Sequence, residues 1–237
     1  MMNVAAVVAE NLQRVQERVA EAAVRSGRSP DEVRLVAVTK YVSSDVIRHL
    51  ATAGCKDLGE SRPQALWQKD AELADLPIRW HLVGHLQTNK VRRTLKLERL
   101  VCIQSVDRVE LLERLEAEAG KLERSLEILL EARVSSDPTK YGFARSELPS
   151  AIRMAQRCRC VRLRGLMTMA SLEADAEQTR EEFTRLRQWR DELAEEIGAE
   201  EELRELSMGM SRDFEIAIEC GATIVRVGSA LFRGLSP

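Results

Sequence analysis

Three short stretches of this sequence carry residues able to act together on a small anionic aldehyde. Lys40 closes the apolar run Val36-Ala37-Val38-Thr39-Lys40, so its amine leaves the end of a β-like segment partly shielded from water. Desolvation disfavours the ammonium form, and an amine so placed becomes a better nucleophile toward a carbonyl carbon. From position alone, an ordinary solvent-facing lysine after a strand is the plainer reading. Toward the other end, Ser207-Met208-Gly209-Met210-Ser211 and Arg226-Val227-Gly228-Ser229-Ala230 each close or follow a β-like run. Small residues let the backbone approach a ligand, and main-chain amides at a helix start bind anions. Arg226 stands two positions before Gly228, on the same side of an extended chain. A guanidinium set against a pyridine nitrogen would donate a hydrogen bond to it and disfavour its protonation. The alternative for Arg226 is a pairing with a carboxylate of the protein itself. A lysine facing an anion cradle fits a phosphorylated aldehyde, of which pyridoxal phosphate is the obvious example.

This chemistry needs a frame that brings residue 40 beside residues 207–230, and the apolar pattern supplies one. Val4, Val7, Val8, Leu12, Val15 and Val19 line one face of an N-terminal helix that Gly27 stops. After it, short β-rich runs alternate with helical stretches. Strands are expected at Val33 to Val38, Asp57 to Gly59, Trp80 to Gly84, Leu100 to Ile103, Ile128 to Val134, Val161 to Met167, Glu205 to Met208 and Thr223 to Val227. Helices are expected at Ser44 to Ala53, Arg62 to Leu73, Asn89 to Leu97, Asp107 to Ala119 and Ala176 to Ile197. Eight such repeats predict an α/β fold, a single parallel (β/α)8 barrel with an extra N-terminal helix, and residues 1–237 as one domain. A doubly wound open sheet is the alternative. In a barrel the candidate residues share the face where strands end and helices begin, and the loops after strands seven and eight are a frequent phosphate site.

Composition excludes several functions. Among the 237 residues, 36 basic and 38 acidic side chains leave a net charge of −2, which gives no general attraction to nucleic acid or anionic membrane. No apolar run approaches the roughly 20 residues of a membrane span, and residues 1–10 lack the basic start and apolar stretch of a signal peptide. A soluble cytoplasmic protein is expected. Five irregularly spaced cysteines make neither a disulfide framework nor a zinc site. His81 and His85 are four apart, but across a strand and its exit loop, where a metal pair would want a helix. His81 therefore reads as a hydrogen-bonded core residue, and His85 as able to reach an anionic group at the loop.

Ordered along the chain, these segments resemble the YggS/PROSC family of pyridoxal-phosphate-binding homeostasis proteins. The resemblance runs through Gly27-Arg28-Ser29-Pro30, Val36 to Lys40, Gly59-Glu60-Ser61-Arg62, Trp80-His81-Leu82-Val83-Gly84-His85-Leu86-Gln87, Lys140-Tyr141-Gly142-Phe143 and Arg164-Gly165-Leu166-Met167. It continues through Ser207 to Ser211, Glu215-Ile216-Ala217-Ile218 and Val225-Arg226-Val227-Gly228-Ser229. It implies a barrel like the N-terminal domain of alanine racemases, without their second domain. It also implies Lys40 as the Schiff-base lysine, Ser211, Gly228 and Ser229 as phosphate holders, and Arg226 facing the pyridine nitrogen. Ser61 stands where the family usually has Asn, so a hydrogen bond made by that amide is lost or water-bridged. Ser229 replaces a common threonine and keeps its hydroxyl, and Phe232-Arg233-Gly234 departs from the usual Phe-Gly order.

The resemblance implies a carrier or buffer of pyridoxal phosphate, serving vitamin B6 and amino-acid balance without established turnover, and a self-contained barrel is expected as a monomer. Apo-enzymes that use the cofactor would be its partners. The residues agree, since a lysine and an anion cradle appear without a recognisable second acid or base. A narrow pyridoxal-phosphate-dependent racemase or lyase is the enzyme alternative, and an aldolase-like barrel acting on a phosphorylated sugar is a third.

Overall fold

Each β-rich run becomes a strand and each amphipathic stretch a helix over residues 3–135, 141–171 and 173–235, which the computed structural model describes. The strands are β1 Arg34–Val38, β2 Asp57–Glu60, β3 Arg79–Leu82, β4 Leu100–Val106, β5 Leu126–Glu131, β6 Val161–Met167, β7 Glu205–Ser207 and β8 Ile224–Val227. They pair in parallel and in sequence order, and the sheet closes where β8 meets β1, with Arg34 opposite Ile224 and Ala37 opposite Val227. That last pairing decides for the barrel over the open sheet. The helices are α1 Val4–Arg25, α2 Ser44–Thr52, α3 Pro63–Glu72, α4 Val91–Thr94, α5 Val109–Lys121, α6 Leu148–Gln156, α7 Ala176–Ile197 and α8 Phe214–Glu219. The helix expected over 89–97 is shorter than its pattern, a 3-10 turn at Thr88–Lys90 followed by the single turn of α4.

The helices form for local reasons and stay for packing. In α7, Asp175 accepts from the Gln178 amide and Gln178 returns the bond to the Asp175 amide, a capping box. Its buried face is Thr179, Phe183, Leu186, Leu193 and Ala194, and Gly198 ends it in the left-handed region at φ 66°. The expected N-terminal helix is α1, capped by Asn3 and buried along Val8, Leu12, Val15 and Val19 against α2 and α8. Asn11 on α1 donates to the carbonyls of Leu231 and Arg233, at 3.2 and 2.9 Å, and Arg18 pairs with Glu215 at 2.8 Å. The turn carrying Arg233 is thereby tied to the first helix.

Two apolar regions make the core. The larger joins helices to the outer faces of the strands; the smaller, Val36, Cys102, Leu129, Met167 and Ile224, is built from strand residues alone and lies inside the barrel. Parallel strands covered on both faces need such near-continuous apolar runs. Among the described residues, no helix is long and apolar enough to cross a membrane.

Candidate functional site

The candidate residues of the last two strands meet in the β8 exit loop. Ser211 Oγ accepts hydrogen bonds from the amides of Gly228, at 3.1 Å, and Ala230, at 3.3 Å. Two main-chain donors two residues apart, aimed at one oxygen, are an arrangement suited to an anion. Ser229 lies between them, exposed at the rim. Ser211 reaches the loop because Gly209 turns the chain at φ 89°, where a Cβ would sit 2.5 Å from Ala217 Cβ and 2.9 Å from Phe214 Cα. Gly228 in turn abuts β1, and a Cβ there would lie 3.3 Å from the Val38 carbonyl oxygen.

Strand register brings Lys40 to the same place. Ala37 opposes Val227 and Val38 opposes Gly59, so the end of β1 lies between the cradle on one side and Ser61 on the other. Lys40 is half-buried, with its Nζ 4.8 Å from the centre of the Tyr41 ring. Its neighbour Thr39 donates from its amide to the Gly59 carbonyl at 2.8 Å, and the Thr39 carbonyl accepts from Lys69 Nζ at 2.7 Å. Lys69 also pairs with Glu60 Oε2 at 2.7 Å, while Glu60 Oε1 accepts from the Ser61 amide at 2.8 Å. Glu60 is fully buried, so one ion pair between β2 and α3 fixes the backbone on both sides of Lys40 and Ser61. Ser61 is held from above as well, since a Cβ on Gly84 would lie 2.4 Å from the Ser61 carbonyl oxygen. Neither Glu60 nor Lys69 stands out in the sequence. Their nine-residue separation across a helix start belongs to no local pairing pattern.

Arg226 sits below the loop, inside the barrel, 3% exposed. Its Nη1 donates to Ser207 Oγ at 2.6 Å and its Nη2 to the Thr168 carbonyl at 2.7 Å. Burial lowers its pKa to about 10, while the nearby carboxylates of Glu131 and Asp213 pull the other way. Both acceptors are neutral, so the carboxylate pairing considered for Arg226 is not a direct contact.

Glu131, at the end of β5, was not anticipated. It is buried, and desolvation first, then the charge of Asp107, raise its carboxyl to about 7 against the partial relief given by Arg226. The folded protein therefore keeps a proton that the unfolded chain releases above its ordinary value of 4.5. Stability is expected to fall as pH rises between those two values, by up to about 1.4 kcal/mol per pH unit. Glu131→Gln should flatten that slope in urea unfolding measured across the interval. A variant with the parent's slope would remove Glu131 as its cause.

Other groups border the mouth. His85 bonds through Nδ1 to Asp107 at 2.7 Å and stacks on Tyr141, with ring centres 4.5 Å apart. His81 is buried and bonded on both ring nitrogens, as a core histidine should be. Among the described residues, no group of three His, Cys, Asp or Glu side chains is placed to hold a metal ion. The structure thus gathers Ser211, Gly228 and Ser229 in one loop and sets Lys40 and Ser61 at adjoining strand ends. It places Arg226 in the lumen beneath them, bonded to β7 rather than to the other candidates.

Residues 8–237 match the family described as alanine racemase, N-terminal domain. The pyridoxal phosphate homeostasis protein of Aquifex aeolicus is 39% identical over 94% of this chain and 96% of its own length. The structure of PipY from Synechococcus elongatus with pyridoxal phosphate bound superposes with a TM-score of 0.81 at 38% identity, covering 95% of this chain and 99% of that one. Alanine racemase from Corynebacterium glutamicum shares the fold at a TM-score of 0.68 and 14% identity, over 97% of this chain and 63% of that one.

Proposed function

Because this chain belongs to the alanine racemase N-terminal-domain family, and within it to the pyridoxal phosphate homeostasis proteins, we propose that it binds pyridoxal 5′-phosphate at the barrel mouth and carries or buffers it. The observation that carries this reading is the convergence of the Gly228 and Ala230 amides on one oxygen, in the loop leaving β8, the strand paired with the one that leads to Lys40. The residues present suit the group. Main-chain donors and hydroxyls suit a phosphate, and an amine suits an aldehyde.

When bound, pyridoxal phosphate supplies an aldehyde that condenses reversibly with amines and a ring that withdraws electrons. The chain's own residues do the rest. The amides of the β8 loop, with the Ser211 and Ser229 hydroxyls, bind and orient the phosphate. Lys40 presents its amine to the aldehyde carbon, its backbone steadied through Thr39 by Lys69. Ser61, in register with Lys40 just past the end of β2, would border the ring. Arg226 donates toward the pyridine nitrogen and keeps it unprotonated, which weakens electron withdrawal and favours holding over turnover. Apo-enzymes that need the cofactor are the partners such a reservoir serves. The whole chain acts as one binding unit.

A second reading, a narrow racemase or lyase, has one observation on its side. Glu131 is a buried carboxyl that titrates near neutrality, as an acid or base should. The test is to mix the protein with pyridoxal phosphate, record the visible spectrum, reduce with borohydride and map the labelled peptide. Label on the peptide containing Lys40 is expected. Label scattered over surface lysines, or none, would sink the proposal. Exchange of an amino acid's α-proton with deuterated water would move the reading from carrier to enzyme.

A further inference from the structure

Arg226 is one end of a continuous row of hydrogen bonds that crosses the barrel interior. Its Nη1 donates to Ser207 Oγ on β7 at 2.6 Å, and that hydroxyl donates to Gln104 Oε1 on β4 at 2.7 Å. Gln104 Nε2 meets His81 Nδ1 on β3 at 3.1 Å, and His81 Nε2 meets Asp57 Oδ1 on β2 at 3.0 Å. Arg79 closes the row at the opposite end of the barrel by donating to Asp57 Oδ2 at 2.5 Å. Ser207 and Gln104 are fully buried, His81 is 1% exposed and Asp57 9%.

The two ends set the polarity of everything between them. A guanidinium only donates, and an ionised carboxylate only accepts. Burial pushes the Asp57 carboxyl up, but the bonds from His81 and Arg79 outweigh it and hold the group below its usual range, hence ionised. Ser207 has one proton; accepting from Arg226, it passes that proton's bond to the Gln104 carbonyl. This turns the Gln104 amide nitrogen toward His81, whose Nδ1 must then accept. His81 is left as the neutral tautomer with its proton on Nε2, the nitrogen facing Asp57. Turning Gln104 over would put its carbonyl against His81 Nδ1 and demand a doubly protonated ring. A fully satisfied buried network of this kind specifies one arrangement and resists others.

On the reading that Arg226 faces the cofactor's ring, we propose that Asp57, His81, Gln104 and Ser207 are positioning residues that hold the Arg226 guanidinium in one orientation. They do so without neutralising it, because the group touching it on this side is a hydroxyl. The remaining guanidinium N–H groups are left for the pyridine nitrogen, and the row decides where they stand.

The first test needs no cofactor. The chain has three histidines, His49, His81 and His85, so long-range proton–nitrogen spectra of labelled protein at neutral pH can be assigned by single substitutions. His81 is expected as one neutral tautomer protonated at Nε2. In Gln104→Glu, close to the parent in volume, the new carboxylate accepts from both neighbours, and His81 should gain a proton at Nδ1. The second test uses the loaded protein. Gln104→Leu should bind pyridoxal phosphate about tenfold more weakly and shift its visible band, with cooperative unfolding retained. Three results would each overturn the proposal: a parent His81 protonated at Nδ1, a His81 signal indifferent to Gln104→Glu, or a loaded Gln104→Leu spectrum and affinity equal to the parent's. If Gln104→Leu does not fold, Gln104→Glu carries the loaded comparison, and the same shift or its absence decides. A parent that binds no cofactor would sink the proposed function, while the tautomer would still report whether the row exists.

Discussion

Lys40→Ala should lose all borohydride-trappable attachment of pyridoxal phosphate and the visible band that accompanies it, while retaining weaker binding through the phosphate. The two halves of that expectation come from different strands. The cradle donors belong to the β8 exit loop and are held by Ser211, which Lys40 does not touch. The amine follows the end of β1, where it lies over the Tyr41 ring at 4.8 Å, so its removal leaves no buried charge behind. The fold should therefore survive and only the covalent link should go. Absorption spectra, followed by mass analysis of the reduced protein, check both halves together. A mutant that still traps the cofactor stoichiometrically on one peptide would name another lysine as the anchor. Lys69 is not a ready substitute, because its amine is already committed to Glu60 and the Thr39 carbonyl.

Lys69→Met should cost about 3–5 kcal/mol of folding stability, the usual penalty for leaving one partner of a buried ion pair uncompensated. Glu60 is fully buried and would face α3 without its cation, and the Thr39 carbonyl would lose its donor. Adding Glu60→Gln removes the orphaned charge, and the double variant should recover a large part of the loss. Urea unfolding of the parent, both singles and the double gives the coupling directly. A single-variant loss under about 1 kcal/mol would mean that water reaches Glu60 and that the pair is not what steadies the end of β1.

The sequence exposes the barrel well because its strands are sandwiched between two apolar layers and read as uniform runs. It places ends less well, for a physical reason visible in β4. The run appears to stop at Ile103, where Gln104 and Ser105 begin, yet the strand continues to Val106. Those two polar residues are tolerated inside because Gln104 bonds Ser207 and His81, while Ser105 bonds the Gly84 carbonyl at 2.7 Å. Strand β5 starts earlier and stops earlier than its pattern suggests, with Ala132 beyond its end in an isolated bridge to Phe143. Lys40, Ser211, Arg226, Gly228 and Ser229 stand out in the sequence as candidates because each sits in a short motif near a strand end. Glu60, Lys69, Glu131 and Gln104 do not, because their roles come from partners on other strands or helices that no local spacing reveals. The segment Lys140-Tyr141-Gly142-Phe143 falls partly outside the described residues, at Lys140.

The closure of β1 onto β8 has a consequence for the order in which the molecule is made. Synthesis delivers the lysine early and the cradle almost last, since Arg34 must wait for Ile224. On the proposed function, a growing chain would carry Lys40 before the loop that holds the phosphate exists, and the site would form only when the cylinder shuts. A ligand bound across that junction would also tie β8 to β1 directly. Loading should slow the unzipping of β8 from β1 more than it slows exchange at any other strand pair, and hydrogen exchange at Arg34 and Val36 would register it.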